Sequence, residues 1–221
     1  MKMKTMTVAV ATVLLAFAFP AWANVLVSVQ CTSGQGSGAQ TFELPSSSGN
    51  ADWTLPTSFN IMSGTTVLAK VTQLSLQTDA DPFVNLRFAV EAGAADTTFA
   101  ITSTVVGFAP LADPTAYASA GTTLTSDGDG ATITGLFDGK CYRALYNTTS
   151  VYADLVNGFT EGPDRTVTAS ERDPALGFTT IVGSISSIQS EFNFTLSALD
   201  QASGTSRFEV VPTVRVPEPV T

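Results

Sequence analysis

The chain reads as an all-β protein, an antiparallel β-sandwich of jelly-roll type. Three observations predict it. The hydrophobic period is two residues rather than 3.6 over most of the length, and clusters of Gly, Pro, Asp or Ser punctuate it every 8 to 15 residues. The polar quota is filled by 32 Thr and 21 Ser, while charged residues are only 13%, about half the usual share. At 221 residues and 44% apolar composition the chain is long enough for one domain with a substantial core.

The elements follow in order. Lys2 and Lys4 precede an apolar run from Val8 to Phe19, then Pro20 and the small-x-small stretch Ala21-Trp22-Ala23. This is the pattern of an export leader over residues 1–23, with cleavage expected between Ala23 and Asn24. The run is shorter than the ~20 apolar residues needed to span a bilayer. Residues 24–211 are the expected sandwich domain and residues 212–221 an extended tail.

Within the domain, Gly34–Gly38 and Pro45–Gly49 read as loops. Along residues 65–77, Val67, Ala69 and Val71 occupy odd positions and Leu74 and Leu76 even ones. That slip predicts a bulge or a change of sheet at Thr72 and Gln73. Val84, Leu86, Phe88 and Val90 form one inward face, with Asn85, Arg87 and Glu91 outward. Further inward faces are expected from Phe99, Ile101 and Val105, from Ile133 and Phe137, and from Phe192, Phe194, Leu196 and Ala198. Asp127-Gly128-Asp129-Gly130 and Asp138-Gly139 carry hairpin-turn chemistry. Residues 151–157 read as a short helical turn. Residues 200–204 read as a link to a final strand, Thr205–Val211, which Pro212 stops.

Composition excludes whole classes of function. The chain has no His, which removes imidazole metal sites and histidine-based catalysis. Its net charge of −9 argues against nucleic acid and anionic membranes as partners. In an oxidising compartment Cys31 and Cys141 are expected to form one disulfide, closing a loop of roughly 110 residues and contributing ~4–5 kcal/mol in the chain-entropy model.

The candidate sites are few. Asp127, Asp129 and Asp138 offer oxygen ligands for Ca²⁺. Ala131 and Thr132 break the EF-hand pattern, so turns are the preferred reading. Trp53, Tyr142 and Tyr146 are candidates for stacking on sugars, set against a role in capping the core. No Gly-x-Ser-x-Gly or Ser-x-x-Lys box is present. A hydrolase would have to rest on an unannounced pair of carboxylates, and the expectation is of no enzyme and no obligate cofactor.

The stretch from Glu191 to Asp200, the segment from Ala202 to Val211, and the terminal Val216-Pro217-Glu218-Pro219 together resemble bacterial PEP-CTERM proteins. Residues 125–135 followed by 142–147 are similar to the body of some of these proteins. The resemblance covers roughly residues 83–219. It implies export by a Gram-negative bacterium and handling by an exosortase that acts on Pro217, Glu218 and Pro219. It also implies a β-rich ectodomain associated with the extracellular polymer matrix. The family pattern continues into a membrane helix and a short Arg-rich tail, so an anchorless member is expected of a sequence ending at Thr221. The functional expectation is a non-catalytic, secreted or surface-held matrix protein, with extracellular polysaccharide or other matrix components as partners. The alternatives are a carbohydrate-binding sandwich module and a carboxylate-based glycan hydrolase.

Overall fold

A computed structural model describes residues 25–44, 50–79 and 81–213. The expected leader, the expected loop at residues 45–49 and the Val-Pro-Glu-Pro motif lie outside the described residues. Among the described residues all regular structure is strand. The first eight strands are β1 (Val25–Ser33), β2 (Gly36–Leu44), β3 (Ala51–Thr54), β4 (Phe59–Ser63), β5 (Thr66–Asp79), β6 (Phe83–Ala92), β7 (Thr97–Ser103) and β8 (Val106–Ala112). Then come β9 (Thr115–Thr125), β10 (Ala131–Gly135), β11 (Lys140–Tyr146), β12 (Ser150–Asn157), β13 (Phe159–Glu161) and β14 (Thr166–Asp173). The last three are β15 (Thr179–Thr180), β16 (Ser184–Leu196) and β17 (Gln201–Val211).

These strands form two antiparallel sheets packed face to face, the predicted sandwich. Sheet I runs β12-β11-β16-β7-β1-β2, with β10 and β8 also paired to β16, and β13 to β10. Sheet II runs β14-β9-β17-β6-β5-β3, with β15 paired to β9 and β4 to β5. The path is jelly-roll-like in that successive strands cross between the layers, β6 to β7 and β16 to β17. The last crossing places β16 and β17 in the middle of their respective sheets.

The alternation read from the sequence sets the burial. Val84, Leu86, Phe88 and Val90 are buried, as are Phe192, Phe194 and Leu196. Phe88 of sheet II lies 4.9 Å from Phe192 and 5.5 Å from Phe194 of sheet I, and Phe99 and Tyr142 extend this aromatic row. Across the core β9 presents Ala116, Ala118 and Ala120. Small residues there leave room for the stacked Tyr152 and Phe208 rings.

Several expectations are corrected. Cys31 and Cys141 are both buried and free. Cys31 lies on β1 and Cys141 on β11, separated by β7 and β16. Three inter-strand steps of ~4.8 Å put them ~14 Å apart, twice the reach of a disulfide. Burial raises each thiol to a pKa of about 12.

The slip at Thr72 is a bulge, with the β5–β6 register shifting between Val71 and Gln73 and both halves of β5 remaining in sheet II. Residues 151–157 are strand β12, not helix. Val151, Tyr152 and Val156 are β-branched or aromatic, and pairing with β11 decides their conformation. The final strand begins at Gln201 rather than Thr205, and β2 begins at Gly36. Val105 is exposed while Val106 turns inward, and Phe137 lies beyond the end of β10.

Asp138-Gly139 does make a tight hairpin turn: φ is 53° and 86°, and Phe137 and Lys140 exchange both backbone hydrogen bonds. The Asp127–Gly130 turn is no hairpin. It carries the chain from β9 in sheet II to β10 in sheet I.

Candidate functional site

The outward face of sheet II is a polar trough. The same alternation that buries one side of β6, β17 and β9 turns Asn85, Arg87, Thr205, Arg207, Ser119 and Gly121 to solvent, and β14 adds Ser170 and Arg172. These residues line a concavity of about 600 Å³. It continues past Asn85 and Arg87 into a smaller one of about 160 Å³, bordered by Ser75, Gln77, Asp52 and Thr54. The six strands from β14 to β3 give it a span of ~24 Å at ~4.8 Å per strand.

Small side chains make its floor. Gly121 stands opposite Thr205 on one side and Ser170 on the other, so nothing projects at the centre of the face. Threonine pairs stiffen the same sheet beyond the trough, with hydroxyl contacts Thr123–Thr168 at 2.8 Å and Thr125–Thr166 at 3.1 Å.

Its three arginines are held differently. Arg172 lies 4.4 Å over the Tyr117 ring and donates to the carbonyls of Pro174, Ala175 and Gly177, fixing that loop as a wall. Phe178 meets the Tyr117 ring edge-on at 4.9 Å. Arg207 sits 4.5 Å over the Phe83 ring and directs Nε and Nη2 at Oε2 of Glu209, both at 2.7 Å. Burial raises the Tyr117 phenol, while the Arg207 charge opposes that shift and the Glu209 charge adds to it. Arg87 is exposed and makes no ion pair among the described residues. Its neighbours across the ladders are Ser75 and Thr205, and Asn85 beside it donates to Gln77 at 3.0 Å.

The nearby carboxylates are engaged. Glu171 accepts from Lys140 Nζ at 2.8 Å and from the Val156 N–H at 2.8 Å. The Lys140 hydrogen bond is the main cause of its lowered pKa. On the outer face of sheet I, Asp154 takes both Nε and Nη2 of Arg143, at 2.7 and 2.8 Å.

The sequence-predicted site residues do not assemble here. Tyr142 is fully buried with its hydroxyl 2.9 Å from Ser190 Oγ, which removes it from any sugar-stacking role. Burial pushes its phenol well above the ordinary range. Trp53 packs on Phe42 at a tilt, with centroids 5.0 Å apart, in a half-buried cluster that closes one edge of the sandwich, and Tyr146 is half-buried against the core.

Asp127 and Asp129 share one turn, where the Asp129 N–H donates to Asp127 Oδ1, and the Asp127 carboxyl raises that of Asp129. Asp138 belongs to the separate hairpin. Among the described residues no three Asp, Glu, Cys or His side chains are gathered to hold a metal.

Sequence reasoning missed Asp200. It is buried, accepts from the Asp127 N–H at 3.1 Å and is hydrogen-bonded to Ser197, tying two inter-sheet turns together. It also missed the arginine trough. The signal available was that Arg87 and Arg207 lie on outward positions of alternating strands, but nothing in the sequence says that β6 and β17 are neighbours.

No described protein family matches the chain, and no curated relative matches it. Among solved structures it is similar to that of infectious bursal disease virus, Gx strain, at 9% identity and a TM-score of 0.35, covering 88% of this chain and 58% of that one. A second similarity is to the Gt strain, at 11% identity and a TM-score of 0.13, covering 99% and 64%. The chain thus spans about three fifths of the viral chains it matches.

Proposed function

We propose that this protein is an exported, non-catalytic component of a bacterial surface or extracellular matrix, and that it holds an extracellular polymer on the outer face of sheet II. The leader-like residues 1–23 and the Pro217-Glu218-Pro219 motif support export and surface sorting. The observation that carries the binding role is the trough: a stiff, polar, small-floored channel crossing six strands, open along its length as a chain-like ligand requires. Pre-formed strands bind at low ordering cost because the surface is already arranged. Glycan binding without catalysis needs only hydroxyl, amide and guanidinium donors, which line this face.

Affinity electrophoresis of the purified protein tests the reading. Migration through gels cast with matrix polysaccharide should be retarded relative to an empty gel. Unchanged mobility through both charged and neutral polysaccharides would overturn it.

A further inference from the structure

We infer that the trough takes an anionic polysaccharide, a sugar chain bearing carboxylate or sulfate groups, with one such group seated on Arg87. The inference rests on the polymer-holding reading above and names the class of polymer. Its first ground is charge. The chain as a whole carries −9, yet the trough gathers three guanidiniums against two lining carboxylates, Glu171, which Lys140 neutralises, and Asp52 at the far end, with Glu209 paired to Arg207 beside it. With Lys140 counted, the channel keeps a net positive charge that attracts acidic ligands, while the −9 of the whole chain keeps copies apart.

The second ground is that the three arginines divide the work. Arg172 is spent on three carbonyls and a ring, and Arg207 on Glu209 and a ring. Arg87 alone of the three has a guanidinium free of ion pairs, hydrogen bonds and ring contacts among the described residues, and its planar fork matches an oxyanion in two parallel hydrogen bonds. Ser75 and Thr205 flank it with hydroxyls that can serve the remaining oxygens.

The third ground concerns neutral sugars, whose affinity for such faces comes largely from aromatic stacking. Here the Tyr117 and Phe83 faces are covered by Arg172 and Arg207. What the trough offers is charge and hydroxyls over a floor at Ser119 and Gly121.

Equilibrium binding of the full chain to alginate, dextran sulfate and neutral dextran tests this. Binding to alginate identifies the group as carboxylate and binding to dextran sulfate as sulfate; either supports the inference if it weakens with added salt. Arg87→Gln should raise the dissociation constant about tenfold, the scale of one charge-assisted bidentate contact. Arg165→Gln, a control at an exposed arginine outside the trough, should leave it within about twofold. Equal losses from both variants, or none from Arg87→Gln, would overturn the assignment of the site. Dextran binding as tight as the charged polymers would overturn the anionic class and leave the polymer-holding role standing. Absence of binding to all three would remove both.

Discussion

At the scale of single residues, Gly204 is a position where one methyl group decides stability. It lies inside β17 directly across from Phe88 of β6, and the Phe88 ring occupies the space a Cβ would need. Alanine at a strand glycine ordinarily stabilises, by about 0.4–1 kcal/mol through the unfolded chain. Here the methyl must displace a buried ring that packs on Phe192 and Phe194, and such overpacking costs about 1–3 kcal/mol. The second effect wins. Gly204→Ala should lower the urea midpoint without changing the slope, and adding Phe88→Leu should recover part of the loss. A midpoint at or above that of the parent would show that the ring moves freely. None of this is legible in the sequence, where Asp200 to Gly204 reads as turn chemistry. The cysteines teach the same lesson, since exported context predicts a pair while the number of intervening strands forbids it.

At the scale of elements, the legible part was the period and the illegible part was the partner. The inward faces of β6 and β16 and the slip at Thr72 follow from alternation alone, because a one-residue slip must show as an exchange of buried positions, while the β5–β6 ladder decides that the slip is a bulge and not a change of sheet. Residues 151–157 read as a helical turn because five of the seven are apolar without clean alternation, so the period does not separate strand from helix over so short a run. The conformation of β12 comes from β11 on one side and Glu171 on the other.

Val156 holds a φ of 64°, costly for a β-branched residue, and its N–H is held by Glu171, which also binds Lys140. Because the folded Glu171 pKa is lowered, its stabilisation is fully present above the unfolded value near 4.3 and is lost as pH falls through the folded value. Glu171→Gln should therefore cost about 0.5–1 kcal/mol at pH 7, a modest figure because the side chain is 41% exposed and screened. The difference between variant and parent should shrink as pH falls below the unfolded value and vanish once Glu171 is protonated in the folded state too. Chemical denaturation across that range measures it, and a pH-independent difference would assign the effect to packing rather than charge.

At the scale of the whole molecule, the fold is closed by its last two strands. β16 separates β11 from β7 in sheet I, and β17 separates β9 from β6 in sheet II. Without them sheet II falls into two halves and sheet I into β12-β11, β7-β1-β2, β10-β13 and an unpaired β8, and Phe192, Phe194 and Phe208 leave the centre of the core. The trough would lose its middle strand as well, since Thr205 and Arg207 stand between Arg87 and Gly121. The sequence gives no sign of this dependence, because the C-terminal strands alternate no more strongly than those of the N-terminal half. It is a property of topology. A chain ending at Gly183 should consequently show no cooperative thermal transition by circular dichroism, rather than a weakened one. The full chain should fold slowly, on the millisecond-to-second scale of all-β proteins with distant pairings. An independently folding N-terminal half would instead give the shortened chain a sharp transition of its own, because its ladders would suffice without β16 and β17. The pairing of β1 with β7 and of β5 with β6 supplies only one flank of each sheet, with the inner face open to water, so such a half is not expected to persist.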